Sequence, residues 1–199
     1  YVVFVDTSEG LPTSNWQAAA VLDVDRLKYV ATLRTKTDLT DLAKISYGLA
    51  TSFNEALLMV ERNNHGHAVL LALEHMGYEN LYYHHEHGSP VRSGERRLGF
   101  PTRPSDTKPD MIRTFKELFE AGALDIQDSD VLREVATYRY RDPRTRGLGF
   151  ARDRYGAPSG ATDDLLMAHM GALMGRFEAS SGQRAEVTHY GQRFGDKKP

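Results

Sequence analysis

The sequence has no cysteine and a single tryptophan. Without thiols there are no disulfides, no thiolate metal sites and no cysteine nucleophile. No run of about 20 apolar residues occurs, so no segment reads as a membrane-spanning helix and no membrane partner is expected. No G-x-x-x-x-G-K-[ST] loop is present, which excludes a P-loop ATPase within these residues. Neither sign of charge dominates: 25 Lys and Arg face 27 Asp and Glu, a formal net of −2. On that number alone the chain is a poor match for nucleic acid. What is present is an ordinary globular composition, with 40% hydrophobic residues over 199, enough for one core.

The patterning predicts a single α/β domain over residues 1–180 followed by a polar tail, 181–199. Val2 to Asp6 is a β-branched apolar run that ends on an acid. A chain that opens inside a strand reads as a domain excised from a longer protein. Trp16 to Asp23 and Tyr29 to Thr35 form a hairpin about the polar residues between them, so the first three strands are expected to be antiparallel. Leu39 to Leu49 has helical spacing, with Thr37 or Asp38 as cap. Ala56 to Glu61 is a second apolar strand ending on an acid. Asn63 or Asn64 caps a helix over 65–76, and Asn80 to His87 reads as a strand. This helix–strand alternation predicts parallel pairing. A loop over 88–108 precedes a helix over 108–121 with Met111, Phe115, Leu118 and Phe119 inward. Leu124 to Ile126 is short and extended, and Val131 to Tyr140 is helix or strand, extended at its end. A Gly/Arg-rich hairpin or loop fills 141–160. A last helix over 162–180 carries an apolar stripe of Leu165, Leu166, Ala168, Met170, Leu173, Met174 and Phe177.

Ligand sites of open α/β sheets lie beyond the carboxyl ends of the strands, where Asp6 and Glu61 would stand. Asp163 and Asp164 open the last helix. There the helix dipole also welcomes a carboxylate, so a plain helix start is the competing explanation. Converging carboxylates require a positive charge between them, and hard oxygen donors favour Mg²⁺ or Mn²⁺. A pair of such ions about 3.5–4 Å apart hydrolyses phosphodiesters without a side-chain nucleophile.

The near-neutral total also hides a segregation. Arg139, Arg141, Arg144, Arg146, Arg152 and Arg154 stand against Asp142 and Asp153, a net of +4. Between Arg92 and Lys108, five basic residues, Arg97 and Arg103 among them, oppose Glu95 and Asp106 for a net of +3. The remainder carries nine net negative charges. Arg without Lys in the first run suits phosphate recognition, because the guanidinium fork matches phosphate oxygens. A solvated loop is the alternative.

Several stretches together resemble the nuclease domain of the large terminase subunit of tailed bacteriophages, a ribonuclease H-like fold. They are Phe4-Val5-Asp6 with its following Gly-containing turn, Val60-Glu61-Arg62-Asn63-Asn64-His65-Gly66-His67-Ala68-Val69-Leu70, Gly77-Tyr78-Glu79-Asn80-Leu81-Tyr82, Gly99-Phe100-Pro101-Thr102, Lys108-Pro109-Asp110-Met111-Ile112 and Thr162-Asp163-Asp164-Leu165-Leu166-Met167-Ala168. In order and spacing they span about residues 1–178. The resemblance implies a mixed central sheet flanked by helices. It also implies an Mg²⁺- or Mn²⁺-dependent endonuclease, with two ions per site, cutting concatemeric double-stranded viral DNA during packaging. It assigns Asp6 as bridging ligand, Glu61 as second, and Asp163, Asp164 or both as third. The implied partners are double-stranded DNA, an N-terminal ATPase domain of the same protein, the portal and the small terminase subunit, in the host cytoplasm. Many relatives carry a further acid in the turn after the first strand; here that turn reads Thr13-Ser14-Asn15. A Holliday-junction resolvase on the same fold and a non-catalytic DNA- or portal-docking module are the alternatives.

The histidines add less. His84, His85 and His87 lack the converging partners of a zinc site. His65 is expected to cap or pack, with orientation of a water or phosphate as the second role.

Overall fold

The computed structural model describes residues 1–84, 97–140 and 155–180. A four-stranded mixed sheet forms its centre, in the order β3-β2-β1-β4. β1 (Val2–Asp6), β2 (Gln17–Asp23) and β3 (Lys28–Thr35) are antiparallel, and β4 (Leu57–Val60) joins β1 in parallel, as the sequence predicts. β1 and β2 are buried on both faces. Their unbroken apolar runs reflect this, since a strand covered on both sides has no solvent face to alternate with.

One face of the sheet is covered by α1 (Leu39–Ser52) and α2 (Asn64–His75). Leu42, Ala43, Val69, Leu70 and Leu73 pack there on Val3, Val5, Ala19, Val21, Leu58 and Val60. Asp38 caps α1 and Asn63 caps α2, each through its side-chain oxygen. The opposite face, built from Val2, Phe4, Ala18, Ala20, Leu22, Leu57 and Met59, receives α5 (Asp164–Met174). α3 (Thr107–Glu120) and α4 (Ser129–Thr137) complete that layer through Met111, Phe115 and Val131. The domain is thus helix on sheet on helix.

α5 departs from the expected one-sided stripe. Every residue from Asp164 to Leu173 is buried, because α3, α4 and the sheet enclose it. Gly171 lets it lie close to β1: a Cβ there would stand 2.5 Å from the Phe4 ring. Gly175 is similarly closed in by Met59. The helix ends at Gly175, and the short α6 (Arg176–Ser180) turns away. Phe177, expected in the core, is therefore 69% exposed and covered on one side by the Arg176 guanidinium, 4.1 Å from the ring centroid. Phe119 is likewise only partly covered, stacked on Phe115 at the rim of α3.

The strand expected over Asn80 to His87 is partly realised. Leu81 bridges Leu58 in parallel beside β4, and β5 (Tyr83–His84) then pairs with β6 (Arg97–Leu98). His85 and His87 lie outside the described residues. The ambiguous 131–140 segment resolves into α4, capped by Asp128, and β7 (Arg139–Tyr140). β7 pairs antiparallel with β8 (Tyr155–Gly156). Residues 141–154, and the tail from 181, lie outside the described residues. Trp16 precedes β2 rather than belonging to it, and lies under Lys36 and Arg34, with centroid distances of 4.7 and 5.3 Å. Among the described residues no helix is long and apolar enough to cross a membrane.

The tight contact at Gly171 is testable. Gly171→Ala should cost about 1–3 kcal/mol by overpacking the fully buried Phe4. Gly48→Ala, on exposed α1 surface with open space around it, should stabilise by roughly 0.5–1 kcal/mol. Urea unfolding of the two variants should move the midpoint in opposite directions.

Candidate active site at the carboxyl edge of the sheet

Strand register builds the site. Arg34 lies opposite Ala18, and Ala18 opposite Asp6. Val60 pairs with Val5, so the next residue, Glu61, comes level with Asp6, and its N–H donates to the Val5 carbonyl at 2.9 Å. Side chains alternate along a strand, so Asp6 falls on the face of Val2 and Phe4, and Glu61 on the face of Leu57 and Met59. That is the face α5 covers. Arg34, Ala18, Asp6 and Glu61 thus form one row across four strands, with Asp163 and Asp164 at the start of α5 above it.

The electrostatics show how crowded the row is. The Asp6 carboxyl is held well above its ordinary range, first by burial, then by the Glu61 charge and a hydrogen bond to the Glu61 carboxylate, then by Asp164 and Asp163. The two strand acids and the two helix acids therefore act on one another. Burial, with Glu134 and Asp163, also pushes Asp164 up to about 6, while Arg34 works against them.

Asp163 and Asp164 are not interchangeable. Asp163 occupies the N-cap position of α5 yet makes no side-chain capping bond. Asp38, Asn63, Asp106 and Asp128, at the equivalent position of their helices, all do. A helix start alone therefore does not account for Asp163; its Oδ2 instead accepts from the Ala157 N–H at 3.1 Å. Asp164 is buried in the first turn, with Oδ2 3.9 Å from Arg34 Nη2. Among the described residues no three His, Asp or Glu side chains are drawn close enough to share an ion as they are placed. The donors are nonetheless all carboxylate oxygens, the chemistry that hard divalent cations take.

A second layer escaped the sequence reading. Arg34 Nη2 donates to Glu134 Oε1 at 2.8 Å and to Thr162 Oγ1 at 2.6 Å. Thr162 in turn bonds Glu134, whose other oxygen accepts from the Leu166 N–H at 2.9 Å. This network, buried at Glu134 and open to solvent at Thr162, fastens β3 and α4 to the first turn of α5. Its one sequence signal is Glu134 itself, a charge on the stripe that Val131, Val135 and Tyr138 bury. On the other side, Asn63 links Glu61 to Thr7, the residue after Asp6. Sequence reading took Asn63 for a helix cap alone.

The basic residues are distributed more widely. Arg139 is exposed at the start of β7, and Arg97 is exposed in β6, on a groove also lined by Arg62, His67 and Glu74. Arg103 is half-buried and paired with Asp106 at the start of α3, 3.1 Å apart. Arg141, Arg144, Arg146, Arg152 and Arg154 lie outside the described residues. Asn15 is exposed, and its backbone carbonyl accepts from the Ser8 and Ser14 hydroxyls. His65 Nε2 lies 4.0 Å from Glu9 Oε1, and its backbone N–H bonds the Asn63 cap. His84 Nδ1 meets the Tyr82 hydroxyl at 3.3 Å.

The mixed sheet, with three antiparallel strands and a parallel fourth, helices on both faces and acids at its carboxyl edge, is a fold shared with solved phage large terminase nucleases. The large terminase nuclease from thermophilic phage G20c superimposes with a TM-score of 0.65 at 18% identity, over 87% of this chain and 81% of that one. Its magnesium-bound form gives 0.65 at 19% identity, over 87% and 80%. The Thermus phage P74-26 large terminase nuclease domain gives 0.62 at 16%, over 87% and 79%. No family profile and no curated protein sequence matches the chain.

The cluster has a signature in stability against pH. Asp164 titrates at about 6 in the folded chain against an ordinary 3.8, so its contribution to stability is full below 3.8 and lost as pH rises to 6. His169, buried in α5 with Nδ1–H donating to the Leu165 carbonyl, is lowered by burial from 6.5 to about 4. Its contribution is full above 6.5 and lost as pH falls to 4. The two contributions change in opposite directions between pH 4 and 6. Asp164→Asn should therefore leave stability rising more steeply with pH, measured by urea unfolding at pH 4.5 and 6.5 without divalent cations.

Proposed function

We propose that this chain is the nuclease domain of a phage large terminase, a divalent-metal-dependent endonuclease that cuts double-stranded viral DNA concatemers during genome packaging. The observation that carries the reading is the half-buried Asp6 carboxyl, pressed by Glu61, Asp164 and Asp163. Such a cluster is costly for the fold on its own and becomes favourable around a cation. Two further facts support it: the shared fold, and structures of the G20c nuclease with bound cobalt, magnesium and zinc.

Asp6 would bridge two Mg²⁺ or Mn²⁺ ions, with Glu61 as second ligand and Asp163 or Asp164 as third. When bound, the ions would supply hydroxide at neutral pH and stabilise charge on the leaving 3′ oxygen. The chain's own part is positional. The strand register sets Asp6 level with Glu61, and the Arg34–Glu134–Thr162 network holds the start of α5 above them. Arg97, Arg103, Arg139 and the arginines of 141–154 would hold the duplex by its phosphates, which gives affinity with little sequence preference. The reading extends to an ATPase domain, portal and small terminase subunit as partners, in the host cytoplasm.

Asp6→Ala should abolish Mn²⁺-dependent nicking of supercoiled plasmid while the circular dichroism spectrum stays that of the parent. A variant that nicks like the parent removes Asp6 from the site. Replacing Arg139, Arg141 and Arg144 by alanine should weaken duplex binding and flatten log K against log salt by roughly one unit per lost phosphate contact. An unchanged slope would exclude that segment from the footprint.

A further inference from the structure

One side chain joins the two strand acids. Asn63 Oδ1 accepts from the His65 and Gly66 N–H groups at 3.0 and 2.8 Å, and from the Thr7 hydroxyl at 2.8 Å. Those donors fix which end of the amide is oxygen. Its Nδ2 is therefore turned the other way, donating to the Thr7 carbonyl at 3.1 Å and to Glu61 Oε2 at 2.8 Å. Every polar atom of the side chain is engaged. A helix cap needs only the first two of these five bonds. The other three reach the residue after Asp6, twice, and the Glu61 carboxylate. Gly66 permits the approach, because a Cβ there would collide with the Glu61 carbonyl.

From this we infer that Asn63 is a positioning residue, a clamp that ties the end of β1 to the end of β4 and fixes how Glu61 and Asp6 face a shared divalent cation. The inference rests on the nuclease reading above. Its physical basis is that a carboxylate with one oxygen held by an N–H donor has lost its rotational freedom, so the other oxygen is presented in one direction. Partners of this kind set ligand geometry, and their loss typically weakens metal binding about 10–100-fold. Thr7 belongs to the same device, since its hydroxyl and carbonyl hold Asn63 from the Asp6 side.

The test uses the full chain and Mn²⁺ as probe. Asn63→Ser keeps a helix cap of similar quality but cannot reach Glu61 and Thr7 with N–H donors. Mn²⁺ affinity by calorimetry and the Mn²⁺ concentration for half-maximal nicking should both worsen by about tenfold or more, with the plateau rate largely recovered at saturating Mn²⁺. Thr7→Val, which leaves cap and Glu61 bond in place, should shift both in the same direction by less. Asp38→Ala, which removes the cap of the neighbouring α1 and touches neither Thr7 nor Glu61, should lower Tm without moving either value. If Asn63→Ser lowers Tm but binds Mn²⁺ and nicks with the parent's dependence, Asn63 is a cap and the inference is overturned. A parent chain that neither binds Mn²⁺ nor nicks overturns the nuclease reading, and this inference with it.

Discussion

Mutual repulsion among carboxyl groups at one end of the sheet is the constraint around which this domain is built. Asp6 is fixed there by strand register, half-buried, and faced by Glu61, Asp163 and Asp164 from two other segments of the chain. Hydrophobic burial along Val2, Phe4, Leu57, Met59 and the whole of α5 supplies the stability against which that repulsion is held. The acids occupy the positions where the apolar runs stop.

Two polar networks flank the cluster and have different tasks. On the α5 side, the buried Glu134 pairs with the half-buried Arg34 and is joined to Thr162 and to the Leu166 N–H. Such a pair is weak evidence for added stability, because desolvation of Glu134 offsets its attraction. What it does supply is geometry, since it ties β3 and α4 to the turn that carries Asp163 and Asp164. On the α2 side the Asn63 amide ties β1 to β4. Between them the two strand acids and the two helix acids are held from opposite edges of the row.

Much of this was legible in the chain. Runs of Val, Leu, Phe and Ala ending on Asp6 and Glu61 announce buried strands with acids at their ends, and the short loops between Gln17 and Thr35 announce antiparallel neighbours. The misread elements share one cause, which is that local pattern carries no information on what covers a surface. Phe177 has helical spacing with the α5 stripe, but the break at Gly175 turns it outward. α5 is enclosed on all sides, so its polar positions do not mark a solvent face, and His169 sits there fully buried and neutral. Asn63 reads as a cap because its two cap bonds are local, whereas its bonds to Thr7 span 56 residues.

The sequence by itself determined which residues could do chemistry: four acids at the ends of apolar segments, no thiol, and arginines gathered in two segments. Those are properties of composition and short-range order, which the chain carries before it folds. Only the tertiary structure decided that Asp6 and Glu61 stand side by side, since a shift of one residue between β1 and β4 would send one of them to the opposite face. It alone decided that Arg34 and Glu134 belong to the site, because their contact joins elements 100 residues apart. Pairing over such distances is set by which packing buries the most apolar surface at once, and no local pattern encodes that.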